Sequence, residues 1–286
     1  MSTELTVIDF APPEDGRGVR HLICRESDSE QPPDPRKLAA CLDACPDLEI
    51  LWLSWDSSRN LQPEAKPGFE QILEMIQTGG SRLRALQISS NSLQDANAGM
   101  IHRDALPALT RLELPDCHRL GSKGVERIVA GCPGLTHLDL HYSLHDESNA
   151  AAHAIGQGLS KLRWLGMHRS CHVEDDGLIA IARGCPELQQ AHMGRNYELS
   201  DAALRALADH CAQIELVGMY YNKGVTAEGL RYLSEHASNF RCFHHGRGWC
   251  QVRAIQAVED EYPNICFAGN KSFCVERSYA AHDASS

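Results

Sequence analysis

The sequence predicts an α/β solenoid, in which short parallel strands form a curved inner sheet and helices cover its outer face. Apolar residues recur at one fixed interval, and within each interval their spacing changes from that of a strand to that of a helix. From Leu83 to Phe240 the leading apolar residues are 26, 26, 27, 26, 26 and 26 residues apart. A period of this length is the signature of a stacked repeat, and we expect about nine to ten copies. The leaders are Leu48, Leu83, Leu109, Leu135, Leu162, Leu188, Ile214 and Phe240, with Val19 as an earlier copy and Ile265 as a terminal one.

Each repeat is expected to begin with a short strand. With the leader counted as position 0, apolar residues recur at +3 and +5, as in Leu135, Leu138 and Leu140. Side chains alternate along a strand, so +3 and +5 face the core while +2, +4 and +6 face outward. Small residues at +8, such as Ser143 and Asn196, are expected to hydrogen-bond backbone in the turn that leaves the strand.

A helix is expected behind each strand. In the stretch "GLIAIARGCPEL", the residues Leu178, Ile181, Ala182 and Cys185 share one helical face. Gly at the helix end and Pro just after Cys are helix stop signals. One strand–turn–helix unit has no second layer on which to bury its apolar side, so the core must form between stacked units.

The domain organisation follows from this array. We expect one solenoid over residues 19–274, a cap segment at 1–18 in which "LTVIDF" covers the sheet edge, and a disordered tail at 275–286. The interval between Leu48 and Leu83 is 35, and the excess predicts a polar loop at about 54–68. This loop either overhangs the inner face or is a tolerated surface insertion, because long loops cost little entropy.

The repeat resembles a known family. The pattern C-P-x-L-x-x-L-x-L and a following DxGL are similar to the cysteine-containing leucine-rich repeats of F-box substrate adaptors and their F-box-less relatives. The resemblance covers roughly residues 19–270 and implies a leucine-rich-repeat solenoid and adaptor work in a ubiquitin-linked or regulatory pathway. The first 60 residues, strand-like and Pro-rich, contain no three-helix F-box pattern. The likeness is carried by Cys45-Pro46, Cys132-Pro133, Cys185-Pro186, Cys211 and the segment Asp175–Leu178.

Composition narrows the function classes. A net charge of -11 argues against general affinity for nucleic acid or an anionic membrane surface. Neither a membrane-spanning apolar run nor a secretory leader is expected. The twelve cysteines contain no CxxC pair, and several recur at one repeat position as buried thiols would. We therefore expect a monomer in a reducing compartment, cytoplasmic or nuclear, without a cofactor.

The outward strand positions predict a recognition surface. They collect Trp, Tyr, His and Arg, the usual interface anchors. At +7 these residues form a stripe roughly 19 Å long, which suits a protein or peptide better than a small substrate. Arginine grips carboxylates and phosphates in bidentate fashion, so the partner is expected to carry acidic or phosphorylated groups. The candidate partner-binding residues of this non-catalytic scaffold are Trp52, Trp55, His137, His141, Tyr142, Trp164, His168, Arg169, His192, Arg195, Tyr220, Tyr221 and Arg247.

Other interpretations of the same residues remain open. The alternatives are side chains that only shield the sheet, a zinc site, a catalytic His–Asp face, and nucleic-acid binding through Arg and Tyr stacking against the overall charge. His137 and His141 lie about 13 Å apart on an extended strand, too far for one ion. No P-loop, GxSxG or HExxH motif is present, so no catalytic residue is predicted. The clusters compatible with zinc are His141 and His168 with Asp139 or His192, and Cys242 with His244 and Cys250.

Overall fold

The computed structural model describes residues 4–8, 16–25, 34–54, 69–144, 148–169, 172–245 and 252–268. Within these ranges, eleven strands form one parallel sheet whose strand order follows the chain. Each strand lies beside its predecessor, as in a solenoid and unlike a doubly wound sheet. The strands are β1 (Glu4–Ile8), β2 (His21–Arg25), β3 (Ile50–Ser54), β4 (Ala85–Ser89), β5 (Arg111–Glu113), β6 (His137–Asp139), β7 (Trp164–Gly166), β8 (Gln190–His192), β9 (Leu216–Gly218), β10 (Cys242–His244) and β11 (Cys266–Ala268).

Helices connect the strands and pack side by side along the outer, convex layer. Parallel strands need a crossover connection, which these helices provide. The predicted α/β leucine-rich-repeat solenoid, with strands on the concave face and helices on the convex face, is confirmed. The helices of the described ranges are α1 (Pro35–Ala44), α2 (Phe69–Gly79), α3 (Asp95–Ala98), α4 (Ser122–Gly131), α5 (Ser148–Gly158), α6 (Asp175–Gly184), α7 (Asp201–His210), α8 (Ala227–His236) and α9 (Val252–Glu261).

Strand register follows the repeat numbering. Residues at +2 pair across the sheet from Arg111 to His137, Trp164, Gln190 and Leu216 in turn. Residues with the same repeat position therefore form columns across the sheet, as the 26-residue spacing predicts.

The core lies between the sheet and the helices. Leu162, Leu165 and Met167 at positions 0, +3 and +5 are fully buried. On the helix side, the predicted inward residues Leu178 and Ile181 of α6 are fully buried as well. One continuous apolar cluster runs from Val19 to Phe267, which is the expected consequence of stacking units that have no core of their own.

Where the structure describes them, buried side chains at +8 hydrogen-bond the turns that leave the strands. The amide nitrogen of Asn196 donates to the carbonyl oxygens of Met167 and Met193, both at 3.0 Å. Its amide oxygen accepts from the backbone N–H of Val173. Asn196 thus ties a turn to the strand of the preceding repeat, which confirms the expected role of this column.

The recurrent cysteines end the helices. Cys132 and Cys211 cap the C-termini of α4 and α7, and each thiol donates to a carbonyl of the preceding repeat, that of Ile101 or Ala182, at 3.5 Å. Burial raises the pKa of the Cys132 thiol to about 11 and, together with the neighbouring Cys185, that of Cys211 to about 12. The described cysteines form no disulfide bonds, and Cys266 is the exposed one among them.

One repeat departs from the expected pattern. Behind β4 the helix is a single turn, α3, and not the two or three turns seen in the other repeats. Within it, the Asn97 side chain donates to the carbonyl of Ser92 and accepts from the backbone N–H of Gln94. The bond to Gln94 is part of a capping box that fixes the start of α3.

Several sequence predictions fall outside the described residues. The loop at 55–68 and the tail at 275–286 are among them, so the predicted domain boundaries stay predictions. At the N-terminal edge of the sheet, β1 pairs in parallel with β2. In the described ranges, the helices are all too short or too polar to cross a bilayer.

Candidate partner-binding face

The concave face carries a ridge of side chains just beyond the C-terminal ends of the strands. We define the ridge as the +7 residues of five consecutive repeats, all of which are partly exposed. Each follows the last residue of its strand by three positions. The backbone N–H of each of the first four donates to the +6 carbonyl of the next repeat, as from Arg195 to Tyr220 at 2.7 Å. The ridge residues are Asp116, Tyr142, Arg169, Arg195 and Tyr221.

Every ridge residue has a left-handed backbone. Their φ angles are 57° for Asp116, 58° for Tyr142, 60° for Arg169, and 63° for both Arg195 and Tyr221. This conformation is favoured for glycine and tolerated by asparagine or aspartate, but it is uncommon for bulky side chains. The left-handed turn at +7 therefore favours glycine, asparagine or aspartate, but four of the five positions are Tyr or Arg.

The two ridge arginines stack their guanidinium groups on the rings of the two ridge tyrosines. The guanidinium carbon of Arg169 lies 4.4 Å from the Tyr142 ring centroid, and that of Arg195 lies 4.8 Å from the Tyr221 ring centroid. Each arginine thus leans outward onto its own tyrosine, so the two cations point away from each other. A stacked guanidinium keeps its in-plane N–H groups available for acceptors beside the ring.

Below the ridge, the +6 side chains form an aromatic floor. His141 and His168 stack with ring centroids 5.2 Å apart and planes 2° from parallel. The Tyr220 ring lies 5.6 Å from His168, although β8 stands between their strands. It reaches that far because the intervening +6 residue is Gly194, where a Cβ would collide with the Tyr220 ring. The floor therefore spans four repeats.

Deeper in the face, two predicted site residues are buried. Trp164 and His137 are each only 8% exposed, whereas outward strand positions were expected to be free of the core and available to a partner. Their rings stack at 4.1 Å, and His192 covers the other side of the indole at 4.9 Å. Gly166 gives the indole its place, since a Cβ there would strike the ring. Lateral packing between strands about 4.8 Å apart, and not cover by helices, buries these residues.

Carboxylates occupy the +4 positions of β5 and β6. Glu113 and Asp139 are cross-strand neighbours and are 5% and 2% exposed. Arg111 Nε donates to Glu113 Oε1 at 2.5 Å, and Asp139 Oδ2 lies 2.7 Å from His141 Nδ1. Burial outweighs the arginine and raises the pKa of Glu113 above its usual range. This half of the face is acidic and largely paired internally.

His141 keeps a raised pKa in this setting. Its burial alone would lower the pKa, but the hydrogen bond and charge of Asp139, with the charges of Asp116 and Glu113, outweigh that effect. His192 behaves oppositely: burial, reinforced by His244 and His141, lowers its pKa to about 3. The face therefore holds one histidine that favours the charged form and one that stays neutral.

The first of the two clusters compatible with zinc, that of His141 and His168, does not converge. The stacked rings of His141 and His168 are parallel, and nitrogen lone pairs lie in the ring planes, so they cannot meet at one ion. Within the described ranges, no group of three or more His, Cys, Asp or Glu side chains is placed to hold a metal ion. Cys250 of the second cluster lies outside those ranges.

The structure brings most predicted site residues together. Seven of them form the ridge and floor, and His137, Trp164 and His192 form the buried stack beside them. Trp52 lies apart on β3, where its ring contacts His21 at 4.4 Å and stands four strands, or about 19 Å, from β7. Trp55 and Arg247 lie outside the described residues. The seven ridge and floor residues are His141, Tyr142, His168, Arg169, Arg195, Tyr220 and Tyr221.

Sequence reasoning missed the residues that shape the face without contacting a partner. Gly166 and Gly194 admit the Trp164 and Tyr220 rings, and Glu113 sets the charge of one half. The sequence did carry a signal for these residues, because glycine and acidic residues occur among the aromatic residues at the outward-facing strand positions.

Comparison with known proteins shows which solved structures have a similar fold. No family model matches the chain, and no curated protein matches it. A solved structure of the leucine-rich repeat-containing protein LegL7 from Legionella pneumophila is similar, with a TM-score of 0.57 and 14% identity over 92% of this chain and 89% of that one. A chain of the Rad7 and Elc1 complex in yeast has a TM-score of 0.47 and 14% identity over 93% of this chain and 82% of that one. The likeness to LegL7 shows that this chain has the fold of a leucine-rich-repeat protein.

Proposed function

We propose that this chain is a non-catalytic scaffold that binds a partner protein or peptide on its concave face, with the ridge as the principal contact. The partner carries acidic or phosphorylated groups that engage Arg169 and Arg195. The fold supports a binding role by analogy only, because solenoids host many functions. The residue-level argument rests on the ridge.

The left-handed ridge carries this proposal. Holding Tyr142, Arg169, Arg195 and Tyr221 at positive φ costs roughly 1–2 kcal/mol at each position. Glycine would remove that cost, so the retained side chains point to a task other than folding. Tyr and Arg are also the residue types that dominate binding energy at protein interfaces.

The charge distribution supports an acidic or phosphorylated partner. The strands β7, β8 and β9, which lead into this part of the ridge, read WLG, QAH and LVG and contain no carboxylate. The carboxylates Glu113 and Asp139 lie on the preceding strands β5 and β6, and Asp116 lies at the same end of the ridge. A local positive field in a protein of net charge -11 favours an anionic group on the partner.

The resemblance of the repeats to F-box-type adaptors supports a more specific version, in which the scaffold selects a substrate for a ubiquitin-linked or regulatory pathway. In this version the protein is monomeric and works in the cytoplasm or nucleus, with neither nucleic acid nor membrane as its partner.

Affinity capture with matched variants tests the proposal. Arg169→Ala, Arg195→Ala and Tyr221→Ala are combined in one ridge variant, and captured proteins are quantified by mass spectrometry against the unaltered chain. The control combines Arg183→Ala, Arg205→Ala and Tyr232→Ala on the convex helices, where Arg205 stacks on Tyr232 at the same 4.4 Å as in the ridge. We expect specific partners to be lost from the ridge variant and kept by the control. Equal retention by both folded variants would refute a ridge-centred function.

A further inference from the structure

A cavity of about 400 Å³ opens at the N-terminal ends of the strands in the first repeats. Arg20, Glu49 and Arg84 line it, and each directly precedes a strand, namely β2, β3 or β4. The ridge lies beyond the C-terminal ends of later strands, so the cavity is separate from the candidate partner-binding face. Its volume falls within the range of small-molecule sites, about 300–1,000 Å³.

The cavity is lined by one more cation than anions. Arg20 Nη1 lies 3.7 Å from Glu49 Oε1, and Arg82 Nη1 lies 3.6 Å from Asp47 Oδ1. The third arginine, Arg84, is exposed, and its side chain has no hydrogen bond or ion pair among the residues that the structure describes. Its guanidinium is therefore the available donor of the cavity.

A later repeat shows which group is missing beside Arg84. Arg163 has the same repeat position, +1, and its Nε and Nη2 donate to Oε2 of Glu187 at 3.1 and 2.9 Å. Glu187 has position −1 of the next repeat, directly before the leader Leu188. The residue equivalent to Glu187 beside Arg84 is Ala108, which also lines the cavity.

The backbone is equivalent at these two places. The carbonyl oxygen of Arg84 accepts from the N–H groups of Thr110 and Arg111 at 2.9 and 3.0 Å. In the later repeat, the carbonyl oxygen of Arg163 accepts from the corresponding two N–H groups at 2.8 and 3.0 Å. The position that provides a carboxylate to Arg163 thus provides only the methyl group of Ala108 to Arg84.

We propose that the cavity binds the carboxylate of a small organic acid, which pairs with Arg84 as Glu187 pairs with Arg163. A planar carboxylate matches one guanidinium in a two-pronged contact. A single negative charge balances the one excess cation, whereas Asp47 and Glu49 in the same cavity repel a dianion such as a phosphate monoester. The inference does not depend on the proposed function of the ridge.

NMR titration of the ¹⁵N-labelled chain with benzoate tests this inference, with the backbone amide signals of Ser81, Arg84 and Ala108 as the readout. Benzamide has nearly the same shape without the charge and is the matched reference. Phenyl phosphate presents the dianion. We expect benzoate to bind at least about fivefold more tightly than either of them.

Three variants separate the cavity from general charge attraction. Arg84→Gln removes the available cation and should weaken benzoate binding at least about fivefold. Ala108→Glu should have the same effect, because it supplies the missing carboxylate from within the chain. The matched control is Arg163→Gln, which removes a cation at the equivalent position outside the cavity and should leave benzoate binding unchanged.

Several results would overturn the inference. Benzoate that binds no more tightly than benzamide or phenyl phosphate would do so, as would equal binding by Arg84→Gln and the unaltered chain. An equal loss in Arg163→Gln would show that benzoate responds only to net charge. A peptide with blocked ends and one central glutamate forms the last arm, since a protein side chain offers the same carboxylate. If this peptide binds more tightly than benzoate, the ligand is an acidic segment of a protein and the assignment to a small acid fails.

Discussion

Nδ1 of His141 lies 2.7 Å from Oδ2 of Asp139, in a part of the concave face where the carboxylate is almost fully buried. Asp139 Oδ1 also accepts the backbone N–H of His141 at 3.1 Å. The carboxylate thus fixes both the ring and the backbone at the point where the acidic half of the face meets the basic ridge. The charged form of His141 is favoured by this contact, as its raised pKa indicates.

Asp139→Asn should lower the pKa of His141 below the ordinary histidine value, because burial then acts with much less opposition. Ring-proton NMR titration measures this directly. Glu113→Gln is the control, since Glu113 acts on His141 only through its charge and should produce a smaller change. A His141 pKa that does not move in Asp139→Asn would show that the hydrogen bond is not what holds it up.

His192 should make the protein less stable in acid. Its folded pKa of about 3 lies below the unfolded value near 6.5, so the unfolded chain takes up a proton first as pH falls through that window. Urea denaturation should therefore show that the unaltered chain loses about 2 kcal/mol more than His192→Gln between pH 7 and pH 5. Equal losses in the two proteins would mean that His192 is protonated in the folded state.

Asn196→Ala should be among the most destabilising changes of a polar residue. The side chain is fully buried and bonds two carbonyls and one N–H of neighbouring turns. Leaving those groups unpaired should cost about 3 kcal/mol or more in urea denaturation. The control is Asn239→Ala, whose amide makes one exposed bond to the carbonyl of Ala212 and should cost less than about 1 kcal/mol. Similar losses at both sites would refute the role given to the +8 column.

The fold could be predicted because repetition reports the same information many times. Strand alternation and a fixed 26-residue interval place Leu162, Leu165 and Met167 on one side of the sheet, and all three are buried there. Register follows from the interval alone, since equal repeats align equal positions. The pattern does not predict that α3 is a single turn, because periodicity gives the place of a helix and not its length.

The candidate site was predicted less completely. Alternation indicates which residues leave the core, but not how they pack with each other on the concave face. Trp164 was expected to be available to a partner, yet His137 and His192 enclose it, and its place depends on Gly166. These ring contacts join residues of different repeats, 26 or more positions apart in the sequence. The pattern of residue types at one repeat position does not reveal them.

Backbone conformation at +7 was also beyond the sequence pattern. Glycine or asparagine at +7 would have predicted a left-handed backbone, but Tyr and Arg do not. The sequence identified these residues by their chemistry, and the structure adds the unusual backbone that holds them. The residue types at +7 and their left-handed backbone are independent observations. Measuring stability shows whether that backbone carries a cost that these residue types must offset.

Arg195→Gly should be more stable than Arg195→Ala by about 1 kcal/mol, because alanine keeps the cost of φ near 63° and glycine removes it. At Arg183, in helix α6, the order should reverse, since glycine is the poorer helix former by about 1 kcal/mol. Urea denaturation of the four variants measures both differences, and both Arg195 variants should lose the partner alike. An Arg195→Ala protein as stable as Arg195→Gly would show that the left-handed position carries little cost, and the case for a retained function at the ridge would lose its main support.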